Sequence, residues 1–144
     1  MNAIAVAMLH GMTTHADAPA ELIRADRWAV APTLDSLGDG AFRRVRPLLG
    51  ITAFGINVKV MQPDTSSKLH LHTEQQEVMF VHDGRVKVTF ESGGSHEVGP
   101  GAIVVVDPGE AHVVRVVSEQ PAVLVMMGGK DGVVEGDAVF PDDA

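Results

Sequence analysis

In a chain without cysteine, a bound metal ion can only be held by His, Asp or Glu, and this 144-residue chain has no cysteine. The stretch KLHLHTEQQEVMFVHDG, Lys68 to Gly84, carries His70, His72, His82, Glu74 and Glu77 in an otherwise apolar, strand-like run. His70 and His72 are two residues apart, so on a strand both imidazoles project from one face, near enough to grip one ion. Glu77 follows the bend TEQQ and opens the next strand, which lets its carboxylate return beside them. His112 comes after the turn Asp107-Pro108-Gly109 and shares a strand face with Val114 and Val116, an apolar row expected to point inward. Three imidazoles and one carboxylate complete the protein side of a divalent metal site and leave two positions of an octahedron open. The same alternation sends His82 to the face opposite Glu77, away from the site. His10, His15 and His96 read as surface residues.

Short strands must hold these side chains. Runs rich in Val, Ile, Phe and Thr, separated by turn residues, predict strands at Phe42 to Leu49, Thr52 to Met61, Leu69 to His72, Glu77 to His82, Arg85 to Glu91, Ser95 to Val98, Ala102 to Val106, Ala111 to Val117 and Ala122 to Met127. Asp83-Gly84 is a hairpin signal, because tight hairpin turns favour residues that tolerate positive φ. Ser92-Gly93-Gly94 and Gly99-Pro100-Gly101 mark the next two joints. The pattern is that of an all-β sandwich or barrel. Upstream, PAELIRADRW is compatible with a short helix, with Pro19 at its start.

One domain fits the length. The organisation expected is an N-terminal arm over residues 1–30, partly ordered, a barrel over residues 31–129, and an acidic tail over residues 130–144 that packs lightly or frays. The formal net charge of −8 and the lack of a basic run argue against a nucleic-acid partner. The apolar run Ala3 to Leu9 is too short to span a membrane and lacks a basic flank, so neither a membrane role nor a secretory signal is expected, and a cytoplasmic location is. Two strands, Ala102 to Val106 and Ala122 to Met127, are apolar on both faces. One face can fill the barrel, and the other needs cover, for which a homodimer is the expected solution.

The spacing His70-x-His72-x4-Glu77-x6-Gly84 resembles the first motif of the cupins, and Gly101, Pro108, Gly109 and His112 resemble the second. The resemblance runs over about residues 42–128 and implies a single-domain jelly-roll β-barrel that holds a metal through His70, His72, Glu77 and His112. Three positions depart from the motifs. Asp64 stands where the family has a glycine ahead of the first histidine, Asp107 stands where it has proline, and Val116 replaces the closing asparagine. None of the three removes a ligand.

Among the remaining polar residues, Asn57 and Lys59 share one face of their strand, opposite Phe54, Ile56 and Val58, and the apolar set is expected inside. Arg44 and Arg46 are expected on a solvated strand edge. Glu74 and Glu110 are the candidate acid/base residues, and Gln76 is a further loop residue near the mouth. The expected function is that of a metal-binding cupin acting on a small molecule, with one Fe, Mn, Ni or Zn ion per chain. An Fe-dependent dioxygenase is the first expectation, with an isomerase or lyase, or a non-catalytic binding protein, as the alternatives. A helical DNA-binding segment of the kind that would mark a transcriptional sensor is not expected from this sequence.

Overall fold

The computed structural model describes residues 18–143, so Ala3 to Leu9, His10 and His15 lie outside the described residues. The expected all-β architecture is borne out. Strands β1 (Ile23–Arg24) and β2 (Ala29–Val30) are followed by β3 (Phe42–Arg44) and a five-residue helix α1 (Val45–Leu49). The jelly roll proper contains β4 (Gly55–Met61), β5 (Leu71–His72), β6 (Gln76–Asp83), β7 (Val86–Phe90), β8 (Ser95–Val98), β9 (Ile103–Val106), β10 (His112–Val116) and β11 (Ala122–Gly129), with β12 (Ala138–Val139) returning near the end. One sheet runs β3-β4-β11-β6-β9, and facing it is the three-stranded sheet β10-β7-β8. A two-stranded pair, β12-β5, closes one end.

Two local expectations are corrected. The segment around PAELIRADRW is a small hairpin, with Ile23 opposite Val30 and the Ala25 amide donating to the Trp28 carbonyl. A helix of that length is marginal without tertiary support, and the hairpin instead lays Leu22 and Ala31 against the sheet. The strand expected over Phe42 to Leu49 stops at Arg44. Gly50 adopts φ 69° and closes α1 with its amide on the Arg46 carbonyl, a left-handed cap that glycine takes readily.

The alternation read for the hairpin strands holds. Val86 and Val88 are buried while Lys87 and Thr89 are exposed, and β10 buries His112, Val114 and Val116 while exposing Arg115. Gly84 makes the β6–β7 turn at φ 72°, where a Cβ would stand 2.6 Å from the Pro121 carbonyl oxygen and 2.7 Å from Ala122 Cα. Only glycine fits. Asp64, the residue that replaces a glycine of the cupin motif, keeps the left-handed turn at φ 61°. Aspartate is among the few residues that tolerate that region.

The chain builds two cores, one on each side of the five-stranded sheet. Inside the barrel, Met61, Met79, Val81, Val86, Val88, Val114, Val116, Ala122 and Leu124 pack together. Outside it, Leu37, Val45 and Val58 are joined by Leu22, Ile56, Val123 and Val125. The outer face of β11 is therefore covered by the chain's own N-terminal layer, and a second subunit is not required there. Arg43 staples that layer, donating to the carbonyls of Gly40 and Leu34 and to the Asp35 carboxylate. Among the described residues the outer face of β9 has no such cover, with Ile103 65% and Val105 52% exposed.

Candidate metal centre

The inner core does not fill the barrel to its end. On the inner face of the five-stranded sheet, β11 continues from Leu124 through Met126 to Gly128, and β4 runs from Met61 through Lys59 and Asn57 to Gly55. Side chains give way to glycines, and a cavity of about 550 Å³ opens there. Its walls include His70, His72 and Glu77, and also Asn57 and Lys59. This corrects the assignment of faces on β4. Ile56 and Val58 are indeed sheltered, but in the outer core, and the polar pair faces inward. A larger groove of about 730 Å³, bordered by Phe54, Val78 and Met127, lies on the outside of the sheet and contains none of the four expected ligands.

Of the four expected ligands, Glu77 stands on β6 and His112 on β10, one from each sheet, while His72 stands on β5 and His70 just ahead of it. His70 and His112 exchange backbone hydrogen bonds, the His112 amide on the His70 carbonyl at 2.9 Å and the reverse at 3.2 Å. Glu77 reaches them from β6. One ligand atom from each of His70, Glu77 and His112 lies within 4.8 Å of the others, close enough to hold a metal ion. His72 stands beside this trio, its Nε2 2.7 Å from Glu77 Oε2.

Each imidazole is pinned through its other nitrogen. His70 Nδ1 is 2.9 Å from the Lys68 carbonyl and His112 Nδ1 is 3.2 Å from the Glu110 carbonyl. A carbonyl can only accept, so Nδ1 carries a proton in both rings, and in the neutral imidazole Nε2 keeps its lone pair for a ligand role. His72 Nδ1 instead meets a carboxylate, Asp137 Oδ1, at 3.0 Å. Such partners fix ring orientation and raise the basicity of a ligating imidazole.

The chemistry of this donor set fits a cation. Glu77 Oε1 and His112 Nε2 are buried, 3.4 Å apart, and have no hydrogen-bond partner among the described residues. A buried polar atom left bare costs about 1–3 kcal/mol, and one ion between these two atoms would satisfy both lone pairs. The protons respond to the same crowding. Hydrogen bonding to Glu77 raises His72 to about 8, against burial and with help from Asp137. Burial pushes Glu77 upward, but His112 and His72 outweigh it and hold the carboxyl near 2. Burial lowers His70, with the Lys68 carbonyl opposing.

Asp137 was missed by sequence reasoning. It is buried, and its carboxylate accepts hydrogen bonds from His72 Nδ1, the Glu74 and Gln75 amides and Gln75 Nε2. Its carbonyl accepts the Thr73 amide. Burial resists ionisation of Asp137, yet these donors, the Gln75 amide foremost, hold its carboxyl below the usual carboxylate range. Next to it, β12 pairs with β5, Ala138 opposite His72 and Val139 opposite Leu71. Phe140 lies against the His70 ring at 5.9 Å between centroids. The tail expected to pack lightly leaves Ala138, Val139 and Phe140 exposed, yet it sets Asp137 behind His72 and lines the cavity with Ala138 and Phe140.

Other candidates are placed elsewhere. Glu110 accepts the amide and hydroxyl of Ser92 at the β7–β8 turn, and Glu74 borders a shallow depression with Thr73 and Pro108. Neither lines the cavity of the histidines. Gln76 donates to Asp107. His82 is exposed and sits at a β-bulge where Val123 pairs with Asp83 and Leu124 with Val81. Arg46 pairs with Glu135, while Arg44 borders a small depression at the sheet edge.

Comparison with known proteins agrees with this architecture. The chain matches the cupin domain family over residues 57–128, half of its length, and belongs to that family. Comparison with curated proteins gives no match. Among solved structures it is similar to a cupin-superfamily sugar phosphate isomerase from Silicibacter pomeroyi, at 25% identity and a TM-score of 0.57 over 62% of this chain and 58% of that one. It is also similar to a DMSP lyase from Ruegeria pomeroyi, at 21% identity and a TM-score of 0.55 over 62% of this chain and 43% of that one. The third is an oxalate oxidase in complex with the substrate analogue glycolate, at 23% identity and a TM-score of 0.55 over 62% of this chain and 46% of that one. The last two likenesses establish the fold alone. The chain spans less than two thirds of the length of each of these proteins. No helix among the described residues is long and apolar enough to cross a membrane.

Proposed function

We propose that this protein is a metal-dependent cupin that holds one divalent ion per chain through His70, His72, Glu77 and His112 and acts on a small molecule in the adjoining cavity, with an iron-dependent dioxygenase reaction as the favoured chemistry. The observation that carries the metal reading is the pair of bare buried atoms, Glu77 Oε1 and His112 Nε2, facing each other beside His70. A bound divalent ion supplies Lewis acidity, and iron adds one-electron chemistry with dioxygen. The preference for oxidation rests on the two open positions that three imidazoles and one carboxylate leave on a divalent ion. Glu74 and Glu110, the expected acid/base residues, both lie outside the cavity.

The chain's own residues do the positioning. The Lys68 and Glu110 carbonyls and the Asp137 carboxylate keep the three rings oriented. Phe42, Met126 and Phe140 supply apolar walls that exclude water from the bound molecule. A metal-dependent isomerase or lyase is the second reading, favoured by the 25% identity to the sugar phosphate isomerase; Lys59 is then the cavity side chain able to carry the proton. A homodimer in the cytoplasm completes the proposal, its contact assigned to the uncovered outer face where Phe80 pairs with Ile103 and Val78 with Val105.

The test is elemental analysis of protein purified without added metal or a metal-binding tag, followed by turnover assays. About one ion per chain is expected, retained in His82→Ala and largely lost in His72→Ala and His112→Ala. Full metal content in both latter variants refutes the ligand set. Oxygen uptake that requires both Fe(II) and an organic substrate supports the dioxygenase reading, and oxygen-independent turnover by the zinc form supports the second.

A further inference from the structure

We propose that the cavity takes an organic monocarboxylate whose charge is met by Lys59. The position of Lys59 follows from strand register. It is opposite Leu124 on one side and Phe42 on the other, and Leu124 is fully buried in the inner core. Residues directly opposite in a sheet share a face, so Lys59 projects into the barrel, half-buried, and lines the cavity with Asn57 two residues along. In a protein with a formal charge of −8, an inward lysine is not the overflow of a basic surface. Lys59 makes no hydrogen bond or ion pair among the described residues. The sole acidic side chain lining the cavity is Glu77, and its oxygens face His72 and His112.

A charge count then sets the sign of the missing partner, and this step alone rests on the metal reading above. A divalent ion adds two positive charges and Lys59 one, and the exposed Lys68, which also lines the cavity, adds a further one, against one negative charge each on Glu77 and on Asp137 behind His72. The remainder is at least about one positive charge, and in a low-dielectric space it is costly unless an anion enters with the ligand.

The type of anion follows from the donors. Phosphate sites draw on arginine forks, runs of backbone amides or helix N-termini. No arginine lines this cavity, and no helix opens onto it. The inward Lys59 ammonium and the neighbouring Asn57 amide match a carboxylate. The rest of the wall, with Phe42, Met126, Val134 and Phe140, suits a hydrocarbon body. The volume of about 550 Å³ is that of an ordinary small-molecule site.

The test uses the purified full-length protein with its metal content recorded, and calorimetry with phenylacetate, hexanoate, the neutral phenylacetamide and phenyl phosphate. Phenylacetate should bind roughly 10- to 150-fold more tightly than phenylacetamide, the effect of one charge-assisted hydrogen bond. Lys59→Met should abolish that preference with metal content unchanged, and Lys59→Arg should keep it. Equal affinity for acid and amide in the wild-type protein overturns the proposal without reference to any variant. Failure of both acids to bind, a preference that survives in Lys59→Met, or tighter binding of phenyl phosphate than of phenylacetate overturns it as well. Metal content separates this proposal from the one it extends. A chain that binds no metal but shows the Lys59-dependent acid preference refutes the metal reading alone, and a metal-loaded chain without the preference refutes this one alone.

Discussion

Replacing Asp137 by asparagine should damage metal binding more than folding, and the reason lies in the division of labour between the two carboxylate oxygens. Oδ2 accepts the amides of Glu74 and Gln75 at 3.0 Å each. Oδ1 accepts His72 Nδ1 at 3.0 Å and Gln75 Nε2 at 2.6 Å. Asparagine keeps one acceptor oxygen. If that oxygen stays on the two backbone amides, which cannot rearrange, the new NH2 group faces His72 Nδ1. Two donors cannot meet, so the His72 proton shifts to Nε2, the nitrogen beside Glu77. The ring then offers N–H where the site needs a lone pair. Losing a group that orients a ligating histidine typically lowers metal affinity about 10- to 100-fold. The fold loses one charged acceptor, a cost of about 1–3 kcal/mol. Competition against a chelator of known affinity measures the first quantity and urea unfolding of the metal-free protein the second. The ring tautomer can be read from the nitrogen shifts of His72. Wild-type metal affinity in Asp137→Asn, with His72 still protonated on Nδ1, would refute the reasoning.

Three further outcomes are expected. In the metal-free protein, the raised pKa of His72, from 6.5 to about 8, stabilises fully below 6.5 and loses its effect as pH rises through 8. The lowered pKa of Glu77, from 4.5 to about 2, stabilises above 4.5 and fails as pH falls through 2. Unfolding free energy should therefore be highest between about pH 4.5 and 6.5 and decline toward 8, while metal affinity rises over that upper range as protons leave His72; the opposite slope above 6.5 would contradict the His72–Glu77 pairing. Gly84→Ala should cost at least about 2 kcal/mol, from the left-handed backbone penalty and overpacking against Pro121 and Ala122, and a melting temperature equal to wild type would refute the turn assignment. Dilute light scattering should report a dimer that Ile103→Glu disperses, because Ile103 and Val105 are an apolar pair on an uncovered strand; a wild-type monomer would overturn the contact.

The histidines and Glu77 were legible because period-two alternation is a local property, and β6, β7 and β10 each bury one face more deeply than the other. That rule weakened on β4, which is sheltered on both sides. Alternation there separates Ile56 and Val58 from Asn57 and Lys59 without saying which set looks into the barrel, and the answer depended on an N-terminal layer that supplies a second core. Asp137 was out of reach for a different reason. It meets His72 across 65 residues, from a Gly- and Asp-rich segment whose composition resembles a solvated tail. The N-terminal hairpin was misread because its side chains answer to the outer face of β4 and β11, a surface that local propensity cannot register.

One residue holds three consecutive amides, those of Thr73, Glu74 and Gln75, and it sits directly ahead of a strand only two residues long. The pairing that secures it is small beside the sheets around it, and regions with few contacts open locally long before the whole molecule does. On the metal reading proposed above, opening of this clasp, and not global unfolding, would set the rate at which an ion leaves. Under conditions where exchange is limited by opening, hydrogen exchange at those three amides and metal release to a chelator should share a rate constant, and release that instead keeps time with exchange in the β6–β11 core would sink that account. A site read as a fixed set of distances is, on this view, also a door with a characteristic time.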